Sequence, residues 1–141
     1  MLDTIDLDQR RQLIERIPCR VRVPDDWQRS LEAEGCAASQ ANEFRAGMRY
    51  RVVRRAVVQL YGSLPAFPRP EGYTGAIVQD FSRHGMGVLY HEQLFPEERL
   101  RVLLPSISVE ATVIRCRRVA QSCYQLGLVL DRDYRLRELL A

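Results

Sequence analysis

The chain contains no lysine, because all 21 of its basic residues are arginine. Genomic composition bias explains part of this, but every cation can consequently make planar, bidentate contacts and stack on aromatic rings. The acidic residues number 18, so the net charge is only +3 and the protein as a whole is not a binder of polyanions. The arginines are unevenly spread, since five of them fall in a stretch without any acid: Arg45, Arg49, Arg51, Arg54 and Arg55.

Long apolar runs are also missing. The longest has about five residues, whereas a membrane-spanning helix needs about 20, so we expect no membrane insertion. The first twenty residues mix charged side chains with Leu and Ile, which is not the pattern of a secretory signal. The four cysteines form no C-x-x-C pair and have no histidine at metal-ligand spacing. These features predict reduced thiols, no metal site and a cytoplasmic location.

The hydrophobic pattern divides the chain into a helical first third and a β-rich remainder. Residues 3–17 predict one helix, which Pro18 ends, and residues 25–35 predict a second. We therefore expect residues 1–44 to form a helical N-terminal extension. Residues 45–141 are expected to form a β-domain that ends in a helix. A chain of 141 residues is long enough for one such domain to bury a core of its own.

From Ala56 onward the pattern changes from that of helices to that of strands: residues 56–61 are apolar and β-branched, and residues 109–113 and 124–130 alternate with a period of two. Residues 62–72 contain three prolines and predict a long loop. Several short strands separated by turn residues favour a closed antiparallel β-barrel of about six strands, or a small sandwich. Residues 131–140 predict the C-terminal amphipathic helix. The predicted strands are residues 56–61, 75–79, 86–90, 100–104, 109–113 and 124–130.

Two short motifs stand out for their chemistry. The first is R-x-x-x-R, formed by Arg51 and Arg55, directly before the first predicted strand. The second is D-x-S-x-x-G, formed by Asp80, Ser82 and Gly85, in a turn between two predicted strands. Neither motif is specific alone. An arginine-rich chain produces the first by chance. The second is more often simply a turn whose side-chain oxygens satisfy its own backbone.

In this order, and separated by a strand, a loop and a second strand, the two motifs resemble the signature of the PilZ family. The resemblance covers roughly residues 50–130. It implies a small β-barrel that binds the bacterial second messenger cyclic di-GMP, with no other cofactor. The ligand-binding residues that it implies are Arg51, Arg55, Asp80, Ser82 and Gly85.

The chemistry of these residue types fits the ligand that the resemblance implies. A guanidinium matches the O6 and N7 acceptors of guanine bidentately, and it can also stack on the purine. The carboxylate of Asp80 can accept the N1–H and N2–H₂ donors of guanine. The hydroxyl of Ser82 can contact a phosphate or a base edge. Gly85 is expected to let the turn approach the ligand closely.

Three further residues are second-tier candidates for ligand contact: Arg54, Arg83 and His84. His84 occupies a position where the family commonly has glycine, so the turn can differ in shape from that of the family. Tyr50 precedes the first motif arginine, where some relatives have another arginine that is associated with binding a stacked ligand dimer. Whether one or two ligands bind therefore stays open.

A catalytic function is not expected, because Asp80, Ser82 and His84 lie within five consecutive residues. Such a spacing cannot place a base and the residue that orients it as a hydrolytic triad requires. A barrel that binds single-stranded nucleic acid is also disfavoured, since few aromatic residues lie among the arginines. The run of residues 115–118 is interpreted as an exposed strand edge.

We therefore predict a sensor that binds cyclic di-GMP. Without the ligand, residues 47–55 would be mobile, and binding would fold them against the barrel and move the N-terminal region. The output would be a changed surface for a protein effector, in a process such as motility or biofilm regulation. The alternative is a PilZ-like adaptor that does not bind the nucleotide. The sequence leaves the partner open and is compatible with a monomer or a homodimer.

Overall fold

The computed structural model describes residues 7–27, 35–36, 50–62, 65–66, 69 and 72–140. None of the helices within these ranges is long and apolar enough to cross a membrane. The elements, in chain order, are α1 (Leu7–Arg16), β1 (Gly35–Cys36), β2 (Tyr50–Gly62), β3 (Tyr73–Phe81), β4 (Gly85–Tyr90), β5 (Arg99–Leu103), β6 (Ser108–Ala120), β7 (Cys123–Leu130) and α2 (Leu136–Leu140).

Six of the strands close into an antiparallel barrel. The order is β2-β3-β4-β7-β6-β5, and β2 also pairs with β5, so the sheet closes on itself. The short strand β1 pairs with the beginning of β2. Closure leaves few unpaired strand edges, which is how small β-domains protect their backbone groups. The predicted mainly β fold with a closed barrel of about six strands is confirmed.

The interior of the barrel is filled by the alternate residues that the sequence pattern indicates. In β7, Leu126, Leu128 and Leu130 are buried, and their partners in β4 include the buried Met86 and Val88. Burial of such a side chain contributes about 1.5–3 kcal/mol relative to its exposure. The residues between them face outward, and this alternation decides which side chains a ligand can reach.

The first long strand begins at Tyr50, six residues before the predicted start at Ala56. Val52 is buried in the core, and a bulge between Arg51 and Arg54 shifts the register of the strand. The arginines interrupt the apolar pattern, so the sequence hides this part of the strand. The R-x-x-x-R motif therefore lies within β2 and not before it. The structure has residues 50–55 as part of β2. The predicted order–disorder transition of residues 47–55 on ligand binding stays a prediction.

The N-terminal segment packs on the outside of the barrel. Helix α1 ends at Arg16, before Pro18, and its Ile14 contacts Val57 and Leu103 in a second apolar cluster. After the helix, the chain lies so close to β3 that a Cβ on Gly75 would be 2.7 Å from the carbonyl oxygen of Pro18. The division at residues 44 and 45 stays a prediction.

The second predicted helix is only partly described. Residues 25–27 are helical, whereas Gly35, its predicted last residue, begins β1 and pairs with Arg51. The prediction is wrong at Gly35, because backbone pairing with β2 determines its conformation. The other residues of this predicted helix lie outside the described ranges.

A buried ion pair attaches the proline-rich loop to the barrel. Glu98 is fully buried, and its carboxylate accepts hydrogen bonds from Arg69 Nε and Nη2, both at 2.9 Å. The backbone N–H of Phe95 donates to the same carboxylate at 2.7 Å, and Arg69 Nη2 also donates to the carbonyl of Gln93 at 3.0 Å. The hydrogen bond to Glu98 raises the pKa of Arg69. Three donors thus stabilise the charge of Glu98.

Candidate ligand site

The strand register brings the two sequence motifs together on the outer face of the barrel. Arg51 of β2 is the cross-strand partner of Asp80 of β3, and Asp80 is the partner of Gly87 of β4. Cross-strand partners share a face of the sheet, and the residues next to them, Val52 and Phe81, are in the core. Arg51, Asp80 and Gly87 consequently form an outward row across three strands.

Glycine at position 87 creates the space that the Asp80 side chain occupies. A Cβ on Gly87 would lie 2.8 Å from Oδ1 of Asp80, which is closer than real Cβ atoms approach. The carboxylate therefore extends over β4. Sequence reasoning did not single out Gly87, although a glycine two residues after the motif glycine was a usable signal.

The D-x-S-x-x-G turn is closed by its own serine and glycine. The backbone N–H of Ser82 donates to the carbonyl of Gly85 at 2.9 Å, and the N–H of Gly85 donates to Oγ of Ser82 at 3.0 Å. Ser82 is buried, so much of its hydroxyl is used within the turn. This is the plain structural role of the motif. Ligand contact by Ser82 stays a prediction.

At Gly85 there is little room for a side chain, whereas the backbone is not left-handed. A Cβ there would approach the carbonyl oxygen of Leu128 to 3.1 Å and Oγ of Ser82 to 3.3 Å. Among the described residues other than glycine, positive φ values occur only at Glu97 and Ser122. His84 therefore adopts an ordinary conformation, and the turn tolerates a side chain where the family commonly has glycine.

The two central residues of the turn contact the segment that follows β7. Nδ1 of His84 lies 2.5 Å from Oδ1 of Asp133, and Nε of Arg83 lies 3.8 Å from Oδ2 of the same carboxylate. The carbonyl groups of Arg83 and His84 accept hydrogen bonds from the N–H groups of Tyr134 and Leu130. Both side chains are exposed. The C-terminal segment, including the buried Tyr134, thus fixes the turn.

The second motif arginine lies on the same outer face, in the neighbouring row. Arg55 is the partner of Ile77, is exposed, and donates from Nη2 to the carbonyl oxygen of Ile17 at 3.0 Å. Arg54 is half-buried and donates from Nη1 to the carbonyl of Val53 at 3.3 Å. The structure therefore places Arg51 beside Asp80, whereas Arg55 is attached to the N-terminal segment.

A chain of polar contacts borders the outward row on the side of β7 and β6. Nε2 of Gln125 donates to Oε1 of Gln79 at 3.0 Å, and Nη2 of Arg117 donates to Oε1 of Gln125 at 2.8 Å. The Arg117 guanidinium lies over the Trp27 ring, 5.9 Å from its centroid. No sequence signal identified this chain, because it depends on the pairing of strands that are far apart in sequence.

A family model for the PilZ domain matches residues 39–141, which is well over half of the chain. The chain belongs to the PilZ family. PilZ domains are binding and adaptor domains, and the family is in general one of cyclic di-GMP receptors. Comparisons with curated proteins and with solved structures gave no match. The family match confirms the resemblance that was based on the two motifs.

Proposed function

We propose that this PilZ chain is a non-enzymatic receptor for cyclic di-GMP that changes conformation on binding and signals to a protein partner. The observation that supports this most strongly is the pairing of Arg51 with Asp80 on the outer face, beside the closed turn. The pairing puts a planar cation and an acceptor-only carboxylate next to each other. Guanine presents donors that the carboxylate can accept and a flat face on which a guanidinium can stack, so such a pair matches it.

The charges around Asp80 suit the phosphates of the ligand. Arg51 is the cross-strand partner of Asp80, Arg55 lies in the neighbouring row of the same face, and Arg83 projects from the adjoining turn, where Asp133 is its nearest carboxylate. A cleft or face with an excess of one charge attracts ligands of the opposite charge. Asp80 would repel a phosphate, so its assigned role is to accept the guanine N1–H and N2–H₂ groups.

Arg55 connects the proposed site to the N-terminal segment. Its guanidinium donates to the carbonyl oxygen of Ile17, directly after α1. A ligand that recruits this guanidinium removes that hydrogen bond and weakens the attachment of residues 17–27 to the barrel. The altered surface would then be available to a protein partner. This mechanism needs only a differential contact between two states of the N-terminal segment.

Calorimetric titration of the full chain with cyclic di-GMP tests the proposal. We expect micromolar or tighter binding, abolished by Arg51→Ala and by Arg55→Ala. Arg11→Ala, which removes an exposed arginine from α1, is the matched control and should bind as the wild type does. Undiminished binding by the two site variants would contradict the site assignment. Absence of binding by the wild type would contradict the receptor function.

The second candidate is a PilZ adaptor that works only through protein contacts. It is favoured by the internal use of the turn, since Ser82 is bonded to Gly85 and His84 to Asp133. A thermal shift assay separates the two functions. Ligand at one hundred times its Kd stabilises a receptor by about 2.7 kcal/mol. An unchanged melting temperature at millimolar cyclic di-GMP would favour the adaptor.

A further inference from the structure

The outward row that begins with Arg51 and Asp80 continues across two more strands. Gly87 of β4 is the partner of Gly127 of β7, and Gly127 is the partner of Arg115 of β6. Leu126 and Leu128 on either side of Gly127 are in the core, so Gly127 and Arg115 face outward as well. Two adjacent glycines therefore separate the Asp80 carboxylate from a second arginine.

The side chains of Asp80 and Arg115 lean toward each other over these glycines. A Cβ on Gly127 would lie 2.7 Å from Nε and 2.8 Å from Cγ of Arg115, just as a Cβ on Gly87 would lie 2.8 Å from Oδ1 of Asp80. A bulge between Val113 and Arg115 accompanies this placement. Arg115 is exposed, and within the described ranges it makes no hydrogen bond or ion pair.

We propose that Arg115 is a specificity-determining residue, which binds the O6/N7 edge of the same guanine whose N1–H and N2–H₂ groups Asp80 accepts. The proposal rests on the proposed function. The two edges adjoin each other on one purine, and a guanidinium matches O6 and N7 bidentately. The glycine pair leaves no Cβ between the two charged groups, so a flat base can approach both of them.

Calorimetry with two ligands tests the assignment: cyclic di-GMP, and its analogue in which carbon replaces N7 of both guanines. Arg115→Ala should weaken cyclic di-GMP binding by roughly 5- to 150-fold, the range expected for one bidentate contact. The analogue should bind the wild type more weakly than cyclic di-GMP does, and the ratio of the two affinities should be clearly smaller for the variant than for the wild type. Equal losses for both ligands on substitution would show a phosphate or general charge role and overturn the proposal.

Three further variants sharpen the result. Arg115→Lys keeps the charge without the planar fork and should not restore affinity. Gly127→Ala leaves every charge in place but displaces the Arg115 side chain, and should weaken binding of cyclic di-GMP. Arg118→Ala, the control, removes an exposed arginine whose partner on β7 is Tyr124, outside the row. It should bind as the wild type does.

The failures of the two proposals are distinguishable. If the wild type binds cyclic di-GMP and Arg51→Ala abolishes binding while Arg115→Ala does not change it, only the role of Arg115 is wrong. If the wild type does not bind, the receptor function itself is wrong. A far-ultraviolet circular dichroism spectrum equal to that of the wild type shows that the variant is folded.

Discussion

Two arginine–carboxylate arrangements in this barrel have opposite surroundings. In the first, Arg69 and Glu98 join the proline-rich loop to the turn before β5, and Glu98 is fully buried. In the second, Arg51 and Asp80 lie side by side on the outer face, and both are half-buried. The charges are of the same kind in both, and strand or loop geometry brings them together from distant parts of the sequence.

The difference lies in how far each carboxylate is buried and in whether a ligand can reach it. Glu98 accepts hydrogen bonds from Arg69 Nε, Arg69 Nη2 and the backbone of Phe95, which leaves little capacity for any ligand. Asp80 lies above a glycine at the surface, where a ligand can reach it. An enclosed, fully bonded pair stabilises the fold, whereas a half-exposed carboxylate with an adjacent arginine can exchange its contacts for those of a ligand.

The largest effect is expected for Glu98→Ala. The substitution removes the carboxylate partner of the Arg69 guanidinium, which keeps the Gln93 carbonyl as an acceptor, and leaves the Phe95 N–H without its acceptor. Breaking a buried pair in this way costs about 3–5 kcal/mol. The free energy of unfolding from urea titration measures the loss. Since small domains are stable by only about 5–15 kcal/mol, the variant should unfold at a much lower urea concentration.

Two further variants test the cause of this loss. Arg69→Lys keeps the charge but not the bidentate fork, so its loss should be smaller than that of Glu98→Ala. Glu15→Ala removes an exposed carboxylate from α1 and should change stability by less than about 0.5 kcal/mol. A loss below about 1 kcal/mol for Glu98→Ala would show that the buried pair contributes little to stability. The proposed difference between this pair and Arg51–Asp80 would then be wrong.

The opposite result is expected for Asp80→Ala. Its stability should fall by less than about 1 kcal/mol, because pairs that remain in contact with solvent contribute about that much at most. Its affinity for cyclic di-GMP should fall at least about tenfold, since a hydrogen bond to a charged group contributes about 1.5–3 kcal/mol. Urea titration and calorimetry on the same preparation measure both. Strong destabilisation of the variant would show that Asp80, like Glu98, stabilises the fold.

The sequence predicts the barrel well because one physical rule governs it. Alternation of apolar residues, as at Leu126, Leu128 and Leu130, follows directly from burial of one face of a strand. The start of β2 is not predictable in this way, since the arginines mask the pattern and a bulge shifts the register. The C-terminal helix is predicted over residues 131–140 but covers only Leu136–Leu140. The backbone N–H groups of Asp131 and Tyr134 donate instead to the carbonyl groups of Glu110 in β6 and Arg83 in the turn.

The site is predictable only where a motif is local. Ser82 and Gly85 are three residues apart, and they form the turn that a D-x-S-x-x-G motif predicts, closed by the hydrogen bond from the Gly85 N–H to Ser82 Oγ. The role of Glu98 cannot be predicted, because neither of the two glutamates that follow Pro96 shows in the sequence that it will be fully buried. The row from Asp80 to Arg115 needs the pairing of four strands, and a single sequence does not specify which strands are neighbours.

The smallest expected effect on stability concerns His91, a largely buried side chain that has fewer hydrogen-bond partners than Glu98. His91 has a side chain only 15% exposed, and within the described ranges its Nδ1 has no hydrogen-bond partner. Burial lowers its pKa, although Glu92, 4.0 Å away, opposes this. His91 is therefore expected to remain neutral at neutral pH.

This lowered pKa makes stability depend on pH with a definite sign. Below about pH 6.5 the unfolded chain protonates His91 more readily than the folded chain does. The stability present above that pH is therefore lost as the pH falls toward the lower pKa of the folded state, by at most about 1.4 kcal/mol per pH unit. Urea titrations at pH 7.5 and 5.5 should show a smaller loss for His91→Gln than for the wild type. His84 is present in both proteins, so the difference isolates His91, and identical losses would mean that burial does not penalise its charge.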